Sequence, residues 1–157
     1  MQKIYPCLWY DTQAEEAVKF YTSIFNNSKI ENISYYGNDG PGPKGSVLTV
    51  SFQLSGQEYM ALNGGPEYKF TPAMSLFVNC ETQEEVDHYW EKLSEGGEKG
   101  QCGWLTDKYG VSWQIVPTIL GVLMSDKDPR KAANVMHAML QMHKLDIAIL
   151  KQAYEQA

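Results

Sequence analysis

The chain has 157 residues, 43% of them hydrophobic and 20% charged, with a formal net charge of -6. The length suits one packed domain, and the composition is that of a globular protein rather than a disordered one. The acidic balance argues against nucleic acid as a partner: a phosphate backbone is held by clustered Lys and Arg, and the densest basic group here is only Lys127, Arg130 and Lys131. No window approaches the ~18 apolar residues of a membrane span, so no membrane partner is expected. The opening "MQKIYPCLWYDTQ" lacks the apolar core and cleavage signal of an export peptide, and the expected location is the cytoplasm. Cys7, Cys80 and Cys102 are odd in number and far apart. They read as buried, inert thiols rather than a disulfide framework or zinc knuckle.

The apolar run in 3–10 predicts a strand. The period then changes: Ala14, Ala17, Val18, Tyr21, Ile24 and Phe25 recur at helical spacing, with Glu15, Glu16 and Lys19 on the other face. Asp11 or Thr12 is the expected N-cap. Residues 29–36 predict a strand, and the Gly/Pro-rich loop 36–46 reads as a mobile lid bordering a cleft. Strands over 47–54 and 58–63 form a hairpin. The second half repeats this grammar. A strand over 74–80 precedes a helix over 82–95 with Val86, Tyr89, Trp90 and Leu93 inward, and a hairpin spans 102–106 and 111–117. Its turn, Asp107-Lys108-Tyr109-Gly110, calls for a positive φ at Gly110. A short helix follows at 119–124. A longer one opens at Asp128-Pro129, its inward stripe being Ala132, Val135, Met136, Met139 and Leu140, and a last amphipathic piece covers 145–154.

The two halves therefore say the same thing twice. "LWYDTQAEEAVKFYTSIF" answers "LFVNCETQEEVDHYWEKL". Glu15, Glu16, Ala17 and Tyr21 align with Glu84, Glu85, Val86 and Trp90, and Gly56, Tyr59 and Met60 with Gly110, Trp113 and Gln114. The expected architecture is α+β. One domain spans 1–157, with a first βαβββ module at about 1–65, a second at about 72–117 and a C-terminal helical tail at about 118–157.

These motifs, with "YMALNGGP" and "CGWLTDKYGVSWQIVP", resemble the PhnB-like branch of the glyoxalase/bleomycin-resistance (vicinal oxygen chelate) superfamily. The resemblance runs along essentially the whole chain, the helical tail included. It implies eight strands curled into a cup, commonly paired as a homodimer, with a divalent metal held by His, Gln or Glu from the first and last strands of each half. Members of the branch often carry the label 3-demethylubiquinone-9 3-methyltransferase. No strand here leads through a glycine fingerprint into a helix, as a nucleotide-type site requires, so that label is set aside.

At the metal-ligand positions that the resemblance implies stand Gln114, Met60, one of Ile4 to Pro6, and Met74 or Ser75. An amide, a thioether and a hydroxyl suit divalent ions poorly, so neither a metal nor another cofactor is expected. Strand alternation places Glu58 and Leu62 beside Met60, and Ser112 and Val116 beside Gln114. The expected ligand-binding residues are Met60, Leu62, Ser75, Trp104, Tyr109, Ser112 and Gln114, around a small organic molecule. Glu58 is the one weak catalytic candidate, as a general base if burial raises its pKa; a solvated rim position is the alternative. Three functions stay open: metal-independent binding of a small molecule, an enzyme of lyase, isomerase or dioxygenase type with or without metal, and a filled-in structural protein.

Overall fold

The structure, a computed structural model, describes residues 2–156. The chain forms two compact units, Met1–Phe70 and Thr71–Ala157. Each contains a four-stranded mixed sheet, and the fold class is α+β.

In the first unit the elements are β1 (Cys7–Tyr10), α1 (Ala14–Ile24), β2 (Lys29–Tyr35), β3 (Val47–Leu54) and β4 (Gln57–Asn63). The strand order is β1-β4-β3-β2, with β1 parallel to β4. A parallel pair needs a crossover, and α1 with β2 and β3 provides it. The helix is amphipathic because its apolar residues recur every three to four positions. Ala14, Ala17, Val18, Tyr21 and Ile24 are all buried, and Val50, Phe52, Leu54 and Ala61 are buried on the sheet. Covering each large side chain contributes roughly 1.5–3 kcal/mol. The helix start differs from expectation. The N-cap is Gln13, without a side-chain cap, and Asn63 at the end of β4 accepts the Ala14 N–H at 2.8 Å. A helix terminus needs an acceptor for its first amides, and here that acceptor comes from across the sheet.

The second unit repeats the topology. Its elements are β5 (Ser75–Cys80), α2 (Gln83–Ser94), β6 (Glu98–Lys99), β7 (Trp104–Thr106) and β8 (Ser112–Pro117). The order is β5-β8-β7-β6, with β5 parallel to β8. The two-residue β6 has no counterpart in the sequence reading, being too short to show alternation. Thr82 caps α2 by accepting the Glu85 N–H at 3.2 Å, and Glu85 accepts the Glu81 N–H at 3.0 Å. Val86, Trp90 and Leu93 are buried on the helix, and Leu105, Trp113 and Ile115 on the sheet.

The tail continues with α3 (Thr118–Met124), α4 (Pro129–Leu140) and α5 (Ile147–Glu155). Asp128 caps α4, accepting the Arg130 N–H at 3.0 Å. Val116, Leu123, Val135, Met142, Leu145 and Leu150 form a common core. The expected α4 stripe is too wide: Met136 and Leu140 are 38% and 53% exposed. They lie one position, about 100° of helix, past the packed Val135 and Met139. Backbone bonds dock the tail: Cys102 N–H to the Met142 carbonyl and Gly103 N–H to the His143 carbonyl, both 2.8 Å. Gln83 donates to the Leu145 carbonyl at 3.1 Å and accepts the Ile147 N–H at 2.8 Å. It also donates to Asp87 at 3.0 Å, and Lys144 reaches Asp87 at 2.9 Å. The Gln83 hydrogen bond first, and Lys144 second, hold the Asp87 carboxyl below its ordinary range. Among the described residues no helix is long and apolar enough to cross a membrane.

Candidate functional site

Alternation along β4 places Glu58, Met60 and Leu62 on one face, while Ala61 is buried on the other. The register sets Cys7 beside Met60 and Trp9 beside Leu62, with Ser51 and Thr49 of β3 opposite them. All three expected β4 residues are half-buried. Trp9 is firmly held. Its indole donates to the Gly65 carbonyl at 2.9 Å and meets the Tyr68 ring edge-on at 5.0 Å. It also crosses Gly64 so closely that a Cβ there would lie 2.3 Å from the ring.

The segment read as a mobile lid is organised by its own first residue. Tyr36 is buried, and its hydroxyl donates to the Asn63 carbonyl. Gly40 and Gly42 approach the ring so closely that a Cβ at either would lie 2.4 Å from it. Only glycine permits that approach. Tyr36 N–H donates to the Ser46 carbonyl at 2.8 Å, and Gly45 N–H to the Tyr36 carbonyl at 2.9 Å. Asn63 completes the arrangement, its Nδ2 donating to the Val47 carbonyl at 3.1 Å.

Two cavities adjoin this loop. One, of about 530 Å³, is lined by Trp9, Tyr36, Leu48, Leu62 and the loop residues 37–41, with Gly64. The other, of about 410 Å³, is lined by Asp11, Thr12, Glu15, Tyr36 and Asn63, with residues 41–43, 46–47 and 64–66. Sequence reasoning missed Tyr36, Leu48 and Asn63. The available signal was Tyr36 at the root of a loop bearing Gly40 and Gly42. Glu58 lies elsewhere: it accepts the Gln2 N–H at 2.9 Å and borders a small 80 Å³ pocket with Tyr5, Glu31 and Tyr59.

In the second unit, Ser75, Trp104, Ser112 and Gln114 share one sheet face, with Phe77, 54% exposed, beside Gln114. Gln114 donates to the Ser75 hydroxyl at 3.0 Å. Tyr109 is not on this face; it sits in the β7–β8 turn. There buried Asp107 accepts the N–H groups of Tyr109 at 2.8 Å and Val111 at 3.1 Å, and the Trp113 indole N–H at 2.8 Å. Gly110 has the expected positive φ, +94°. Val116 is covered by the tail core.

The metal-ligand positions implied by the resemblance do not fit a divalent ion. Met60 has Cys7 and Ser51 as cross-strand neighbours, and Gln114 has Phe77 and Trp104. Ile4 and Met74 are exposed apolar residues outside the strands. Among the described residues no group of three or more His, Cys, Asp or Glu is arranged to hold a metal. The cysteines differ from the expectation of uniform burial: Cys80 is buried, Cys102 half-buried and Cys7 exposed. Burial first, then the Glu85 charge, pushes the Cys80 thiol up to about 12, so it stays protonated at neutral pH.

A family model described as 3-demethylubiquinone-9 3-methyltransferase matches residues 2–116. The match stops before the tail, which the sequence reading had attached to the resemblance. The PhnB protein of Bacillus cereus is 44% identical over 74% of this chain and 100% of its own, with a TM-score of 0.69. Protein PA1353 of Pseudomonas aeruginosa, 21% identical over 74% of this chain and 98% of its own, shares the fold with a TM-score of 0.62. Among curated proteins nothing matches. With most of its length matched by the family model and a 44% identical PhnB relative, the chain belongs to the 3-demethylubiquinone-9 3-methyltransferase (PhnB-like) family.

Proposed function

We propose that the first unit binds a small organic molecule with a flat apolar part, without a tightly held metal. The observation that carries this is the 530 Å³ cavity walled by Trp9, Tyr36, Leu48 and Leu62. Its size and largely apolar lining fall in the range of small-ligand sites, and it opens widely to solvent. The Trp9 ring is held by its hydrogen bond and by Tyr68, so little side-chain entropy is lost on binding. The family's methyltransferase description does not alter the reading. The β1–α1 turn is Asp11-Thr12-Gln13 and the β5–α2 turn is Glu81-Thr82; neither carries the glycines of a nucleotide-binding turn.

The working form is a cytoplasmic homodimer. Support for pairing comes from exposed Met74 and Phe77 near the sheet edge at β5 and from Val122 and Leu140 in the tail. A monomeric mass by light scattering at micromolar concentration would remove that part.

A thermal-shift screen of flat organic compounds tests the binding reading. The expected result is concentration-dependent stabilisation by one chemical class, lost in Leu62→Glu. Stabilisation by Mn²⁺ or Zn²⁺ alone, with stoichiometric binding by calorimetry, would replace it with a metal-dependent reading.

A further inference from the structure

We infer that the ligand of the first unit is a planar organic cation, an inference that rests on the binding reading above. Two cavities share Tyr36, Pro41 and Gly64 as walls. The charged residues lining them are Asp39 in the larger and Asp11 and Glu15 in the smaller. No Lys, Arg or His lines either one. Glu15 is engaged by Lys19 at 3.4 Å. Among the described residues Asp11 and Asp39 form no ion pair, so their charge is available to a ligand. Lys44, on the same loop, is exposed and lines neither cavity.

The apolar walls point the same way. Trp9 lines the larger cavity, whereas the Tyr36 ring is taken up by Gly40 and Gly42. A ring face carries the negative end of its quadrupole and attracts a cation, Trp most strongly. A flat cation lying against Trp9 would gain apolar burial, the ring quadrupole and the Asp39 charge together. A flat anion would gain only the first, against an acidic wall and a chain of net charge -6. The inference therefore disfavours phosphorylated, phosphonate and carboxylate ligands.

Three probes of matched shape test it: 1-methylquinolinium, neutral quinoline and 1-naphthoate, titrated calorimetrically into the full chain at neutral pH. The expected result is about tenfold tighter binding of 1-methylquinolinium than of quinoline, with 1-naphthoate weakest. Added salt should weaken the cation alone. Asp39→Asn, in an exposed loop, should narrow the preference for 1-methylquinolinium over quinoline several-fold. Asp11→Asn provides a second variant on the other cavity, and circular dichroism verifies that both fold. If quinoline and 1-methylquinolinium bind equally in the native protein and in both variants, the cation inference is overturned while the binding reading stands. Tightest binding of 1-naphthoate overturns it too. If the folded protein binds none of the three, both fall together.

Discussion

The carboxyl ends of β4 and β8 are topologically equivalent, and the chain treats them in opposite ways. At the end of β4, Asn63, Gly64 and the loop folded around Tyr36 leave two cavities. At the end of β8 the chain runs directly into α3, and the tail packs its core on Val116. The connections differ accordingly. Tyr36 to Ser46 wraps a buried ring, whereas Gly100 to Gly103 is a short turn bonded to the tail at Met142 and His143, the latter also through Nδ1 to the Gly100 carbonyl at 2.8 Å. The duplicated topology thus carries two cavities in one copy and a helical seal in the other. The family match ends at residue 116, so the helices of the seal lie outside the matched part of the chain.

Four measurements break or sharpen this contrast. The largest effect is expected from Asp107→Ala in the second unit. It leaves the Trp113 indole and two backbone N–H groups without their acceptor, and at roughly 1–3 kcal/mol for each buried donor the cost is about 4 kcal/mol. Urea unfolding reads this directly. A loss below about 1 kcal/mol would mean that the turn is not held by this carboxylate.

Leu145→Ala should cost about 3 kcal/mol, because Leu145 is fully buried in the tail core and its side chain abuts Gly103. Hydrogen exchange should rise at Cys102 and Gly103, whose amides donate to the tail. Unchanged exchange there would show that the tail does not seal this end.

Tyr36→Phe removes the hydroxyl bond to the Asn63 carbonyl and should cost about 1 kcal/mol. Proteolysis within 37–45 should quicken as the loop loosens. A loop as resistant as the native one would place its order in the glycine–ring packing alone.

Smallest is the acid dependence of tail docking. The Asp87 carboxyl is depressed in the folded chain. Its stabilisation is therefore fully present above the ordinary value of 3.8 and lost as pH falls through the lower folded value. The group is largely solvated, so the effect is a few tenths of a kcal/mol, roughly 0.5. Asp87→Asn should lower the urea midpoint at pH 7 and match the native protein well below pH 4. A midpoint difference that persists in acid would assign the effect to packing rather than charge.

The sequence alone determined most of the elements and their faces, the short β6, the α1 cap and the edge of the α4 stripe excepted, because these follow from contacts near in sequence. The 3.6-residue recurrence of Ala14, Ala17, Val18 and Tyr21 specifies α1 and its buried side. Alternation puts Met60 and Leu62 on the face opposite Ala61, and Asp128 followed by Pro129 announces the cap of α4. The repeat itself follows from two such local patterns in the same order. Only the tertiary structure decided where the open space lies. Asn63 caps a helix 49 positions earlier in the chain, and Tyr36 reaches 27 positions to the Asn63 carbonyl. Gln83 ties α2 to the tail across more than 60. A side chain's local pattern says which way it faces, not what meets it there. The cavities of the first unit and the seal of the second are both made by such distant partners.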